Sequence, residues 1–148
     1  MTDTQNRAVA DGLADLLADT YTVYLKTHNF HWNVTGPSFH SLHGLFEAQY
    51  TELALAVDEI AERIRTLGET APGSYRAFAA RTKIVDSETV PAATDMLAEL
   101  AADQATVVAT AKRVISAAEN AGDAATVDLL VRRIDTHEKN AWMLNSSR

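Results

Sequence analysis

Apolar residues recur along most of this chain at spacings of three and four, the repeat of a helix with one buried face. The first such stretch carries Val9, Leu13, Leu16, Leu17, Tyr24 and Thr27 on one stripe. A second carries Leu42, Phe46, Gln49, Leu53, Ala56, Ile60, Ile64 and Leu67. The third is read from Pro91, in its first turn, through Leu97, Leu100, Gln104, Val107, Ala111, Val114 and Ala118. The fourth follows Gly122, with Asp123 as its N-cap and Val127, Leu130, Ile134, Glu138 and Ala141 as its stripe. Breaks fall where glycine and proline cluster: at Gly36-Pro37, from Gly68 to Gly73, at Pro91 and at Gly122. The connection from Gly68 to Val90 is long, and Tyr75 to Arg81 has the makings of a short helix within it. Such a crossover lets helices two and three run parallel, as in ferritin-like bundles, so the pattern predicts an all-α four-helix bundle. No strand pattern, repeat or low-complexity tract competes, and residues 1–148 read as a single domain.

Composition narrows the chemistry. Cysteine is absent, which excludes a disulfide scaffold, thiolate zinc, an iron–sulfur cluster and a cysteine nucleophile. The net charge of −7 argues against nucleic-acid binding by bulk electrostatics. No apolar run is long enough to span a membrane, and Met1 to Arg7 lacks the pattern of a signal peptide. The expected compartment is the cytoplasm.

Four of five histidines fall between Thr27 and Gly44: His28, His31, His40 and His43. Helix two then carries Glu47, Asp58 and Glu62. Imidazole with carboxylate suits iron, manganese or zinc. On a helical wheel His43, Glu47, Asp58 and Glu62 lie within about 100° of one another and roughly 150° from the apolar stripe. They point away from the chain's own core, with the small residues Thr51, Ala54 and Ala61 between them. Glu47 and Asp58 stand about 16 Å apart along the axis. Metal bonds to nitrogen or oxygen are about 2.0–2.2 Å long, so the two pairs on one helix cannot share an ion. They can if a second copy packs antiparallel across Thr51 and Ala54, which gives two metal sites about a two-fold axis. His31 joins them if a short reversal at Val34–Pro37 brings it to the start of helix two. The Glu-x-x-His motif of a diiron site inside one ferritin-like chain is absent.

The run Lys26-Thr-His-Asn-Phe-His-Trp-Asn-Val-Thr-Gly-Pro37, then Phe39-His-Ser-Leu-His43, Asp58-Glu-Ile-Ala-Glu-Arg63 and His137-Glu-Lys-Asn-Ala-Trp-Met-Leu144, resembles the Dps family. These are the mini-ferritins, named as DNA-binding proteins from starved cells. The resemblance implies a hollow dodecamer that oxidises Fe(II), preferentially with hydrogen peroxide, and stores ferric mineral. It implies a two-iron ferroxidase centre with His31 and His43 from one subunit and Asp58 and Glu62 from its partner. Glu47 stands where the family often has Asp. Trp32 resembles a tryptophan placed near that centre, and is otherwise a buried aromatic. Asp123 and Asp128 match acidic positions lining an iron-uptake pore, where carboxylates would draw in Fe(II); their alternatives are an N-cap and a surface charge.

Other features carry less. The ladders Asp11–Asp15–Asp19 and Asp95–Glu99–Asp103 read as solvated helix faces, or else as an acidic cage wall. His28, His40 and His137 are weak candidates for extra metal. The rival function is DNA compaction, which in DNA-binding relatives commonly uses a basic tail. Arg7 and Arg148 are the only basic residues of the segments flanking the helices, so DNA binding is expected to be weak or absent. A helical oligomer with no enzymatic role is the third reading.

Overall fold

The computed structural model describes residues 1–148, in five helices and no strand. They are α1 (Asp3–Asn33), α2 (Phe39–Thr66), α3 (Tyr75–Arg81), α4 (Ala93–Asn120) and α5 (Ala124–Ser146). Helices α1, α2, α4 and α5 form the bundle, and α3 is the short helix of the crossover. Side-chain contacts fix the directions. His31 meets His43 and Asn6 meets Leu67, so α1 and α2 are antiparallel. Asp19 bonds Thr110 and Lys26 pairs with Asp103, so α1 and α4 are antiparallel too. Helices α2 and α4 therefore run parallel, as the long connection predicts. Arg63 reaches Asp123 while Glu52 reaches Arg133, which sets α5 antiparallel to α2.

The predicted stripes of the first three bundle helices are the buried ones, with Tyr24 only half-buried. Thr2 caps α1 in a capping box with Gln5, and Ser74 caps α3 through the Ala77 N–H. Helices α1 and α4 approach closely at Gly12. A Cβ there would stand 3.0 Å from a Val114 methyl, closer than packed carbons tolerate.

Two expectations need correction. Pro91 lies outside α4, because Ala92 is extended (ψ 154°) and the helix starts at Ala93. The buried face of α5 is also rotated from the predicted stripe. Thr126, Leu129, Leu130, Arg133, His137, Asn140 and Leu144 face inward, whereas Val127, Ile134 and Ala141 are half-buried and Glu138 is exposed. The reason is a polar network in the bundle interior. Arg133 forks onto both Glu52 oxygens, and one of its nitrogens lies 3.1 Å from His137 Nε2. His137 Nδ1 lies 2.6 Å from Gln104 Oε1. Since Gln104 Oε1 only accepts, His137 Nδ1 is the donor and Nε2 accepts from Arg133. His137 is thus fully committed within the chain, and is no metal ligand.

The network makes stability depend on pH. Burial, with the Arg133 guanidinium second, pushes the His137 pKa from 6.5 down to about 3. Above pH 6.5 the ring is neutral in both folded and unfolded chains. Below it the unfolded chain takes up a proton that the folded chain refuses. Stability is expected to fall by about 1.4 kcal/mol per pH unit as pH drops below the unfolded value, until the folded ring itself protonates. Urea midpoints at pH 7 and pH 5 read this loss, and His137→Gln should flatten it.

The first acidic ladder anchors the crossover. Arg81 bridges Asp11 and Asp15 at 3.0 and 2.9 Å. Asp19 is buried and accepts from Thr82 Oγ1, the Lys83 N–H and Thr110 Oγ1. In the second ladder Asp95 and Glu99 are exposed, and Asp103 pairs with the buried ammonium of Lys26 at 2.9 Å. Burial raises the Asp103 pKa against the opposing pull of Lys26.

Candidate metal centre

The reversal after α1 turns on Gly36, whose φ of +112° suits glycine. It brings the end of α1 against the start of α2. There the imidazoles of His31 and His43 stack, with centroids 3.8 Å apart and planes 14° from parallel. Each ring bonds the other residue's backbone: His31 Nδ1 to the His43 carbonyl at 2.8 Å, and His43 Nδ1 to the His31 carbonyl at 2.7 Å. A carbonyl can only accept, so both Nδ1 atoms carry hydrogen. In the neutral ring each Nε2 then keeps its lone pair for a ligand. This is the backbone clamp that commonly orients a metal-binding histidine.

Glu47, one turn after His43, holds an oxygen 3.9 Å from His31 Nε2. That is too long for a hydrogen bond. It is within the roughly 4 Å that separates two donors bound to one ion at about 2.1 Å each. The candidate donors gathered at this end of the bundle are two imidazoles and a carboxylate, residue types that suit iron.

Asp58 and Glu62 are exposed on the outward face of α2, about three and four turns beyond Glu47. Within a single chain no group of three or more His, Asp or Glu side chains is arranged to hold an ion. The same face carries exposed Thr51 and Ala54, as predicted, while Ala61 is half-buried against the core. Leu55, 71% exposed, lies there too, which the helical wheel did not single out.

Trp32 is 59% exposed, so within the chain it is not the buried aromatic that was one expectation. Its ring lies on His28 at 3.9 Å, and His28 stacks in turn on Tyr50 at 4.2 Å. Tyr50 also meets His31 edge-on at 5.1 Å. Burial, then the neighbouring His31, lowers the His28 pKa. The sequence places Tyr24 only on the buried stripe of α1 and gives Tyr50 no role; the signal for Tyr24 is its i, i+4, i+8 series with His28 and Trp32. His40 is exposed at the start of α2.

Asp123 and Asp128 divide. Asp123 is buried and caps α5, accepting from the Thr126 N–H at 3.1 Å, from the Thr126 hydroxyl and from Arg63 at 2.8 Å. Burial alone would raise its pKa, but the Thr126 bonds and the Arg63 charge outweigh that and hold it below the carboxylate range. Asp128 is exposed and pairs with Arg132 at 3.0 Å, one turn on. No helix is long and apolar enough to cross a membrane.

The ferritin-like domain family matches residues 10–147. An uncharacterized low-temperature-induced protein of a Nostoc species is 38% identical over 99% of this chain and 83% of its own length. DNA protection during starvation protein 2 of Bacillus anthracis is 35% identical over 95% of this chain and 97% of its own. The crystal structure of the Vibrio cholerae Dps protein, described as a member of a broad superfamily of ferritin-like diiron-carboxylate proteins, superposes with a TM-score of 0.95. That match has 31% identity and covers 99% of this chain and 92% of the other. With the bundle topology, the crossover helix and the clamped histidine pair, these similarities establish that the chain belongs to the Dps family of ferritin-like proteins.

Proposed function

We propose that the protein is an iron-storage and detoxification ferroxidase, with its centre shared across a two-fold interface. His31, His43 and Glu47 of one subunit and Asp58 and Glu62 of another hold two Fe(II) ions as substrate. The supporting observation is the reciprocal clamp, which occupies both Nδ1 atoms and leaves both Nε2 atoms to ligate, with a Glu47 oxygen 3.9 Å from that of His31. A site so built lacks ligands, and the exposed Asp58–Glu62 pair beside a small-residue stripe supplies them when two α2 helices pack antiparallel.

The chemistry follows from the donor set. Carboxylates favour Fe(III), the harder and more highly charged ion, while few protein ligands leave positions for oxidant and water. Two Fe(II) give one electron each to hydrogen peroxide. Its O–O bond breaks, two protons are taken up, and two waters form with two Fe(III). Taking both electrons together avoids hydroxyl radical. The ferric product moves into the cavity of a hollow dodecamer and mineralises. Iron uptake past Asp128 and Asp123 belongs to the same reading; Asp128 is the solvent-facing carboxylate of the pair, because Asp123 is committed to its cap and to Arg63.

The test is anaerobic Fe(II) loading followed by peroxide, read by ferric absorbance and by iron retained in solution. The expected result is fast oxidation of about two Fe(II) per peroxide, as the electron balance of a paired site requires, with Asp58→Ala impaired. Oxidation no faster than in buffer would overturn the reading. The DNA reading is weaker, since a net charge of −7 opposes phosphate binding. A gel shift at moderate salt should show little binding.

A further inference from the structure

The chain has four tyrosines, and all four stand in one line of ring contacts that starts at the candidate centre. Tyr50 meets His31 at 5.1 Å. Tyr24 follows at 6.2 Å from Tyr50, and Tyr21 at 5.7 Å from Tyr24. Tyr75, in the crossover helix, lies 6.3 Å from Tyr21. Phe78 braces the far end, stacked on Tyr21 at 4.9 Å. A branch runs from Tyr50 through His28 to Trp32. The three inner tyrosines are half-buried, whereas Tyr75 is 74% exposed. The line therefore joins a metal ligand to solvent without a gap. Edge-on and stacked contacts at these separations are ordinary aromatic packing, which phenylalanine would serve equally. Phenols in every one of these positions add a group that can lose one electron and one proton.

The geometry points to a second activity: Tyr50, Tyr24, Tyr21 and Tyr75 form a one-electron relay that supplies peroxide with its second electron when a centre holds a single Fe(II), and is refilled at Tyr75 by a small one-electron donor from solution. This rests on the ferroxidase reading. The balance is as follows. Peroxide needs two electrons, and a lone Fe(II) gives one in becoming Fe(III). The other leaves Tyr50 as its O–H bond breaks and its proton is released. The O–O bond breaks, and that proton with one more from solvent completes two waters. Electrons then step inward from Tyr24, Tyr21 and Tyr75 in turn, each phenol losing its proton as its predecessor regains one. At Tyr75 the donor returns an electron, and water returns the proton. Without the relay, a half-filled centre would release hydroxyl radical.

The test loads the intact assembly with one Fe(II) per centre, adds peroxide and freezes the sample for electron paramagnetic resonance. The expected result is a protein radical whose line narrows when the tyrosines carry ring deuterium. A spin trap should add to Tyr75, located by peptide mass spectrometry, and ascorbate should suppress both signals. In Tyr24→Phe, which keeps the packing, the Tyr75 adduct should be lost while oxidation at two Fe(II) per centre is unchanged. An undiminished Tyr75 adduct in Tyr24→Phe overturns the relay. So does the absence of any tyrosyl signal from a protein that still oxidises Fe(II) fast. Failure of the wild-type protein to accelerate Fe(II) oxidation at two ions per centre would instead overturn the ferroxidase reading, and the relay with it.

Discussion

Replacing His31 by alanine is expected to slow peroxide-driven Fe(II) oxidation by about 100-fold or more, since loss of even an outer-shell partner typically costs 10- to 100-fold. The substitution deletes one of the two free Nε2 donors, and also the ring on which His43 stacks. His43 keeps its clamp, because its acceptor is the backbone carbonyl of residue 31. The loss should therefore read out as missing ligation rather than as a misplaced second histidine, and His43→Ala should match it. His40 is exposed outside the ring cluster, so His40→Ala should oxidise iron at the wild-type rate. Initial rates of ferric absorbance after peroxide addition check all three variants. Equal rates for His31→Ala and wild type would remove the histidine pair from the chemistry.

The second large effect is on stability. Glu52→Leu should destabilise the fold by about 3 kcal/mol, the low end of what breaking a buried ion pair from one side costs. Arg133 is almost fully enclosed, and Glu52 receives both of its terminal nitrogens. Removing the carboxylate leaves a buried guanidinium whose remaining partner, His137, is neutral. The low end applies because the Glu52 side chain is 39% exposed, so water partly replaces it. Chemical denaturation at fixed subunit concentration measures the loss. Adding Arg133→Met should recover much of it, because an apolar pair of similar volume has no charge to strand. A single variant as stable as wild type would mean that Arg133 is solvated in a way its burial does not suggest.

Most of the fold could be read from the sequence, and the parts that could not have one cause. The α1, α2 and α4 stripes are apolar enough that a repeat of three and four finds the buried face directly. Even Gln49 and Gln104 fell on the right line. On α5 the rule failed, because the inward face is built from Thr126, Arg133, His137 and Asn140. Their polarity is matched by partners on other helices, which a single helical wheel does not contain. The ladder Asp11–Asp15–Asp19 hid its role in the same way, since Arg81, Thr82 and Lys83 are distant in sequence. At the candidate centre, spacing along α2 was enough to show that Asp58 and Glu62 cannot join Glu47 within one chain. The stacking of His31 on His43 and their exchanged carbonyl bonds depend on the Gly36 turn, and appear only once the chain is folded. The tyrosine line draws its members from α1, α2 and α3, so no local pattern announces it.

The proposed centre takes His31 and His43 from one subunit and Asp58 and Glu62 from another. Co-assembly of two inactive variants tests it most directly. When His31→Ala and Asp58→Ala subunits are co-expressed in equal amounts, half of the two-fold pairs are mixed. In a mixed pair one centre carries both defects and the other carries neither. Fe(II) oxidation should return to roughly a quarter of the wild-type rate, since roughly a quarter of the centres are intact in a randomly paired two-fold assembly. Co-assemblies no faster than either variant alone would contradict a shared centre.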